Sequence, residues 1–213
     1  MIIKEAAVEN FTNVPKALAK GVQRIELNDN LAVGGTTPSK GVIAETTRYV
    51  HEKGASVMVM IRPRGGNFIY NDTEIKIMEA DIFEAQAQGA DGIVVGALTP
   101  DGLVDEDAMR EFIGAAGGME VVFHMAFDAI PADKQAGAIN WLIEHHVDRI
   151  LTHGAPLSEP LNVERLKEFI TAADGKITIL PGGGVTDENV THITNELGVS
   201  EAHGTKIVGD LTK

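Results

Sequence analysis

A short apolar run, a polar loop and an amphipathic stretch follow one another along almost the whole chain. This alternation restricts the possible folds more than any other feature. The apolar runs fall at 2–6, 24–27, 57–61, 92–95, 120–123, 149–151 and 177–180, with a weaker one at 201–203. Their brevity and Val/Ile content suit strands. The stretches between them predict helices. The first is capped by Thr12 and runs through Ala17 and Leu18 to Gly21. The others lie at 42–53 after Ser39, 74–88 after Asp72 or Thr73, 106–116 after Asp105, 134–145 after Asp133, 163–173 after Asn162 and 187–197 after Thr186. Each start offers a side-chain oxygen to the unpaired amides of a first turn, and Gly89, Gly117, Gly175 and Gly198 supply stops.

Strands that alternate with helices at this spacing are parallel and joined by right-handed crossovers. The first strand is followed by Val8-Glu9-Asn10-Phe11, with none of the glycines that open a dinucleotide-binding sheet. The expected fold is therefore an α/β (β/α)8 TIM-type barrel, formed as a single domain over 1–213, with its last helix short or missing. Residues 204–213 are too few for a full eighth helix, so that side is open or covered by the tail or a partner subunit. Apolar surface left between the first and seventh helices would mark an interface, which predicts a homodimer or larger homo-oligomer.

Composition narrows the function. The formal net charge is −13, against nucleic acid and against anionic membrane surfaces, both of which need clustered Lys and Arg. There is no cysteine, so neither a disulfide nor a thiolate nucleophile or ligand can form. Glu5 interrupts the first apolar run before a signal peptide could take shape, and no run is long enough to cross a bilayer. The expected location is the cytoplasm.

Barrel sites are built where strands end and loops begin. Those positions hold Glu5, Glu26 and Asn28, Arg62 and Arg64, His124 through Asp128, Thr152 and His153, Gly182-Gly183-Gly184, and Glu201 with His203. Strand residues two apart share a face, so Glu26 joins Asn28, Glu201 joins His203, and Arg62 follows the parity of Met58 and Met60.

At these residues the chain resembles the CutC family. The resemblance is carried by Glu26-Leu27 with Gly34-Gly35-Thr36-Thr37-Pro38-Ser39, by Ile61-Arg62-Pro63-Arg64-Gly65-Gly66-Asn67-Phe68, by Gly89-Ala90-Asp91-Gly92, by Phe123-His124 with Ala126-Phe127-Asp128, and by Pro181-Gly182-Gly183-Gly184. It implies a TIM-type barrel, a cytoplasmic location, and a role in copper homeostasis with copper as a possible ligand. Family members often carry cysteine after the Glu-Leu pair and arginine after the motif histidine. This chain has Asn28 and Met125 there.

The residues themselves leave alternatives. Arg62 and Arg64 could clamp a carboxylate or phosphate, or pair with Glu5 or Glu26 across the barrel. His124 could act as general acid or base with Asp128 as partner, or as a metal ligand with His203 and Met125. Glu5 and Glu26 could form an acid/base pair, a hard-metal site or the counter-charge of Arg62. The Gly182–Gly184 amides could cradle a phosphate at a helix start, with Asn28 completing the anion set, or could simply make a tight turn. Met58, Met60 and Trp141 read as packing, His153 as a loop residue, and His145-His146 as a helix end. The functional alternatives are a copper-homeostasis protein, an acid/base enzyme for a small anion, and a non-catalytic small-molecule binding protein.

Overall fold

In the computed structural model, residues 2–211 are described. Eight strands, β1 (Ile3–Glu9), β2 (Arg24–Asn28), β3 (Ser56–Met60), β4 (Gly92–Val95), β5 (Glu120–Phe123), β6 (Arg149–Thr152), β7 (Thr178–Pro181) and β8 (Glu201–Gly204), form one sheet. All the ladders are parallel, in the order β7-β6-β5-β4-β3-β2-β1-β8. β7 and β8 come side by side and close the barrel, but no ladder joins them among the described residues. Around the outside lie α1 (Val14–Ala19), α2 (Lys40–Glu52), α3 (Asp72–Ala87), α4 (Glu106–Ala116), α5 (Gln135–Glu144), α6 (Val163–Ala173) and α7 (Val190–Leu197).

The local chemistry is clearest in α4. The Asp105 side chain accepts from the amide of Ala108, Glu106 and Asp107 place negative charge in the first turn, and Gly117 ends the helix at φ 56°. Ala108, Met109, Phe112, Ala115 and Ala116 turn one stripe onto the barrel. Burying Phe112 alone contributes about 2–3 kcal/mol relative to exposure.

Several sequence expectations shift. β1 continues through the buried Ala7 and Val8 to Glu9, so Glu5 lies mid-strand, below the rim it was expected to mark. α1 starts after Asn13 with no side-chain cap, and Thr12 lies outside it. α3 is capped by Asn71 in a reciprocal box with Glu74, in place of Asp72 or Thr73. Lys134 holds the N-cap position of α5 in place of Asp133. α7 begins at Val190, because Asn189 Oδ1 accepts from the Thr186 amide and holds 186–189 as a turn.

The tail resolves the missing eighth helix. Ile207, Val208 and Leu211 are buried. Lys20 Nζ donates to the carbonyls of Val208 and Asp210, and Lys16 Nζ to that of Leu211. The bare surface expected between the first and seventh helices is therefore covered from within the chain.

Apolar packing falls into two compartments. The larger lies between barrel and helices. The smaller fills the lumen with Met58, Met60, Val94, Val122, Leu151 and Leu180, and Met125 packs on it from above. At the amino ends of the strands the lumen is closed by charge. Arg24 pairs with Glu5 and Glu201, and Arg149 pairs with Glu201 and Glu120.

Candidate functional site

At the opposite end, where the strands finish, a cavity of about 360 Å³ opens above the lumen packing. Its walls include Glu26, Arg62, Phe68, His124, His203 and the Gly183-Gly184 turn. A wider trough of about 690 Å³ runs outside along α4 and α5, but its charged groups, such as Glu106, Asp107 and Lys134, are exposed. The inner cavity is the better site because its ionisable side chains are buried, where each must be satisfied by the protein or by a ligand.

One wall comes from β8, β1 and β2. His203 Nδ1 lies 2.8 Å from Glu5 Oε1 and 3.7 Å from Glu26 Oε2. Glu26 Oε1 accepts from Asn28 Nδ2 at 2.9 Å, whereas Oε2 has no hydrogen-bond partner. Burial pushes the Glu5 carboxyl up, but the His203 hydrogen bond and the Arg24 charge outweigh it and hold the group at about 2. Burial raises Glu26, and neighbouring Glu5 adds to the rise against the pull of His203. Burial would lower His203, but the Glu26 and Glu5 carboxylates bring it above the ordinary imidazole value.

The other wall comes from the loops after β3 and β5. Arg62 is buried, and its terminal nitrogens donate to the carbonyls of Val33 (2.8 Å), Gly35 (3.0 Å) and Gly66 (2.9 Å). Its Nε has no partner, and no carboxylate pairs with it among the described residues. The counter-ion role toward Glu5 and Glu26 foreseen for Arg62 belongs instead to Arg24, one β2 residue pair below Glu26. Arg64 lies outside the cavity, tied to Glu74 and to loop carbonyls, so its fork is not available as a clamp.

His124 is buried against Phe68, ring centroids 5.0 Å apart, and Phe68 also lies 5.1 Å beneath the Arg62 guanidinium. Burial and the Arg62 charge push His124 down to about 3. Its Nδ1 accepts from the Ala126 amide at 3.1 Å, so the neutral ring carries its proton on Nε2, which has no partner. The expected His124–Asp128 pair does not form. Asp128 accepts from Thr152 Oγ1 and from the amides of His153 and Gly154, and so braces the loop after β6. His153 is a buried brace as well, its ring bonded to the carbonyls of Gly182 and Glu159.

Gly183 and Gly184 sit at φ 77° and 82° on the cavity wall. Neither amide donates a hydrogen bond among the described residues. They do not open a helix, since α7 starts only at Val190, so any anion binding there comes from the amides and not from a helix dipole. Gly182 is needed for space, as a Cβ would come 2.5 Å from Leu151 Cδ1.

The expected metal set of His124, His203 and Met125 lines this same cavity. Among the described residues the close group is Glu5, Glu26 and His203, with ligand atoms within 4.8 Å of one another. Two carboxylates and one imidazole are a poor match for Cu(I), which prefers sulfur, and Glu5 is already bound to Arg24. The group therefore offers oxygen and nitrogen donors but no sulfur.

Two contributors were missed in the sequence. Arg24 shares strand parity with Glu26 and Asn28, and that parity could have placed it under Glu5. Gly96, just past β4, makes room for the His124 ring, since a Cβ there would come 2.7 Å from Cε1 and Nδ1. It follows no glycine motif and carries no sequence signal.

Residues 2–208 match the model of the CutC family. A family protein CutC of Enterococcus faecalis is 56% identical over 209 residues, spanning 97% of this chain and 100% of its own length. A copper homeostasis protein cutC homolog of Homo sapiens is 40% identical over 201 residues, 94% of this chain and 72% of its own. The solved structure of CutC from Streptococcus agalactiae is similar with a TM-score of 0.94 at 48% identity, covering 97% of this chain and 100% of that one. The aldolase QR15, with a TM-score of 0.71 at 16% identity over 99% and 92% of the two chains, shares the barrel alone.

Proposed function

The chain belongs to the CutC family, and from that premise we propose that it is a cytoplasmic protein associated with copper homeostasis whose working part is a small-anion site in the barrel-mouth cavity. The human relative carries copper homeostasis in its name, and that association comes to this chain through the family. The chain's own donors argue that the link to copper does not run through a Cu(I) ion held at this site. The cytoplasmic placement agrees with the absence, among the described residues, of a helix long and apolar enough to cross a membrane.

One observation carries the anion reading. Arg62 is a buried cation with a free Nε–H and no carboxylate partner, and it faces the same cavity as the free amides of Gly183 and Gly184. A buried charge without a counter-ion is costly, and an anionic ligand supplies the missing charge. The global charge of −13 opposes anions at long range, but screened distant charges are weaker than charge-assisted hydrogen bonds in a desolvated site. Calorimetric titration with inorganic phosphate and with small carboxylates tests the reading, and saturable 1:1 heat is expected. An anaerobic Cu(I) titration is the companion measurement. Cu(I) binding no tighter than to an unrelated His- and Met-containing protein is expected, and a tight 1:1 complex would overturn the indirect link. A homo-oligomer is part of the proposal. Its face is now α3, where Ile77 and Phe83 are exposed, and light scattering that gives a monomer at high micromolar concentration would remove it.

A further inference from the structure

Three buried polar atoms around the cavity make no hydrogen bond within the protein, and they differ in kind. Nε2–H of His124 and Nε–H of Arg62 are donors, and Oε2 of Glu26 is an acceptor. The donors share one wall, because Phe68 packs against both side chains. Glu26 lies on β2, beside Ala7 of β1 and near His203 of β8, one strand over from the β3 end that leads to Arg62. Both walls border the same space of about 360 Å³, which has room for a small organic molecule.

Two donors and a carboxylate lining one cavity suit a carbonyl compound. A neutral imidazole N–H and a guanidinium N–H stabilise a carbonyl oxygen best as it gains negative charge. A carboxylate oxygen stripped of water and hydrogen bonds is a competent acceptor for a carbon-bound proton. No lysine lines the cavity among the described residues, so a Schiff base is not open to it.

We infer that the cavity removes a proton from the carbon next to a carbonyl group in a small substrate that also carries an anionic group, with Glu26 as the base and His124 and Arg62 holding the carbonyl oxygen. The inference rests on the small-anion reading of the same cavity. In the step, the C–H bond breaks and its electron pair becomes the carbon–carbon double bond of an enolate. The carbonyl π pair moves onto oxygen, where Nε2–H of His124 and Nε–H of Arg62 receive it. The proton goes to Oε2 of Glu26, and its return to carbon completes the cycle. No oxidant or reductant is needed. The anionic group lies at the Gly183-Gly184 amides. Asn28 is a positioning residue, since its amide holds the other oxygen of Glu26. Glu5 and Arg24 position His203 beside the base.

The test uses dihydroxyacetone phosphate and pyruvate as probes in D₂O, with loss of the α-proton signal followed by NMR and binding of each probe measured by calorimetry. The wild type is expected to bind at least one probe and to exchange its α-protons about a hundredfold faster than Glu26→Gln. Glu26→Asp should retain part of the rate, which guards against a variant that fails to fold. Asn28→Ala should slow exchange more than it weakens binding. Binding without exchange above the Glu26→Gln rate overturns this inference and leaves the anion site standing. Failure of both probes to bind the wild type overturns the anion reading, and the inference with it.

Discussion

Nδ1 of His203 lies 2.8 Å from Oε1 of Glu5, and the other oxygen of that carboxylate is taken by Nε of Arg24. A side chain on β8 is thereby fixed through β1 to β2. Next to this chain, Arg24 and Arg149 share Glu201 and seal the floor of the barrel. The floor explains why the lumen can be charged below, apolar at mid-height and polar again at the mouth. Each buried ion below has its partner, and the ionisable side chains with an unbonded buried atom at the mouth, Glu26, Arg62 and His124, belong to residues that line the cavity.

Removing Glu5 should therefore cost stability before it costs anything else. Glu5→Gln leaves Arg24 with less than its full counter-charge in a buried place, and breaking such a pair costs about 3–5 kcal/mol. Urea denaturation should show that loss at neutral pH. The native pairing also has a pH signature. The group titrates at about 2 in the folded protein against 4.5 in the free side chain, so its stabilisation is complete above 4.5 and is lost as pH falls through 2. The contribution is on the order of 3 kcal/mol. A variant whose acid-unfolding curve matches the wild type would refute the pairing.

His124 adds a second acid sensitivity of independent origin. Burial and the Arg62 charge hold it near 3 in the fold against 6.5 outside it, so the unfolded chain takes up a proton that the fold refuses. Stability should fall as pH drops from 6.5 toward 3. His124→Gln cannot titrate but keeps a donor, so its unfolding midpoint should move to lower pH. Circular dichroism across a pH series reads this directly, and an unmoved midpoint would show that His124 is not held neutral.

The elements with strong local signals were legible in the sequence. Asp105 and Asn162 cap α4 and α6 where their spacing placed them. Two caps were missed where another residue bonds the local amides, whereas α1 and α5, expected to be capped by Thr12 and Asp133, begin with no side-chain cap at all. Asn71 takes the amides of both Thr73 and Glu74, and Asn189 bonds backwards to Thr186. The site was half legible. Strand parity brought Glu26, His203 and Arg62 to one place, and the end of the fifth strand added His124, because both signals are local. Pairing is not local. Arg24 won Glu5 because the register sets them side by side, while Arg62 sits higher and is held by loop carbonyls. Asp128 was drawn to the amides after β6, and nothing in its own neighbourhood of sequence announces them.

Gly96→Ala should disturb the site from behind. The added Cβ would stand 2.7 Å from the His124 ring and 3.3 Å from Ala126 Cβ, so the imidazole must move from the bond that fixes its tautomer. Loss of ligand binding with a stability cost of about 1–3 kcal/mol is expected. Gly137→Ala is the control. It lies within α5 with nothing within 4 Å of the new carbon, and it should stabilise by roughly 0.5–1 kcal/mol. Equal effects of the two substitutions would mean that Gly96 serves only the backbone.

Arg62→Ala separates charge from scaffold. The guanidinium holds carbonyls of two loops, at Val33 and Gly35 and at Gly66, so its loss should loosen both and destabilise by about 1–3 kcal/mol. Phosphate binding should fall at least tenfold. Arg62→Lys keeps a charge but cannot span three carbonyls and still present a free N–H, so it should recover binding only in part. Unchanged phosphate affinity in a destabilised but folded Arg62→Ala protein would make Arg62 a loop clasp and nothing more.

Deleting residues 207–213 tests what closes the barrel flank. Ile207 is fully buried, with Val208 and Leu211 nearly so, and the carbonyls of Val208, Asp210 and Leu211 take the ammonium groups of Lys20 and Lys16. Removing three buried aliphatic side chains forfeits about 1.5–3 kcal/mol each. The exposed strip between α1 and the turn before α7 would also be apolar, and such surfaces associate. The truncated chain should unfold at lower urea and show concentration-dependent association in light scattering beyond that of the full chain. Lys20→Ala removes the clasp but not the apolar side chains, so it should give a smaller loss without association. If the truncated protein keeps both the stability and the mass of the full chain, the tail is an ornament on the barrel and the flank between α1 and α7 is closed by its own packing.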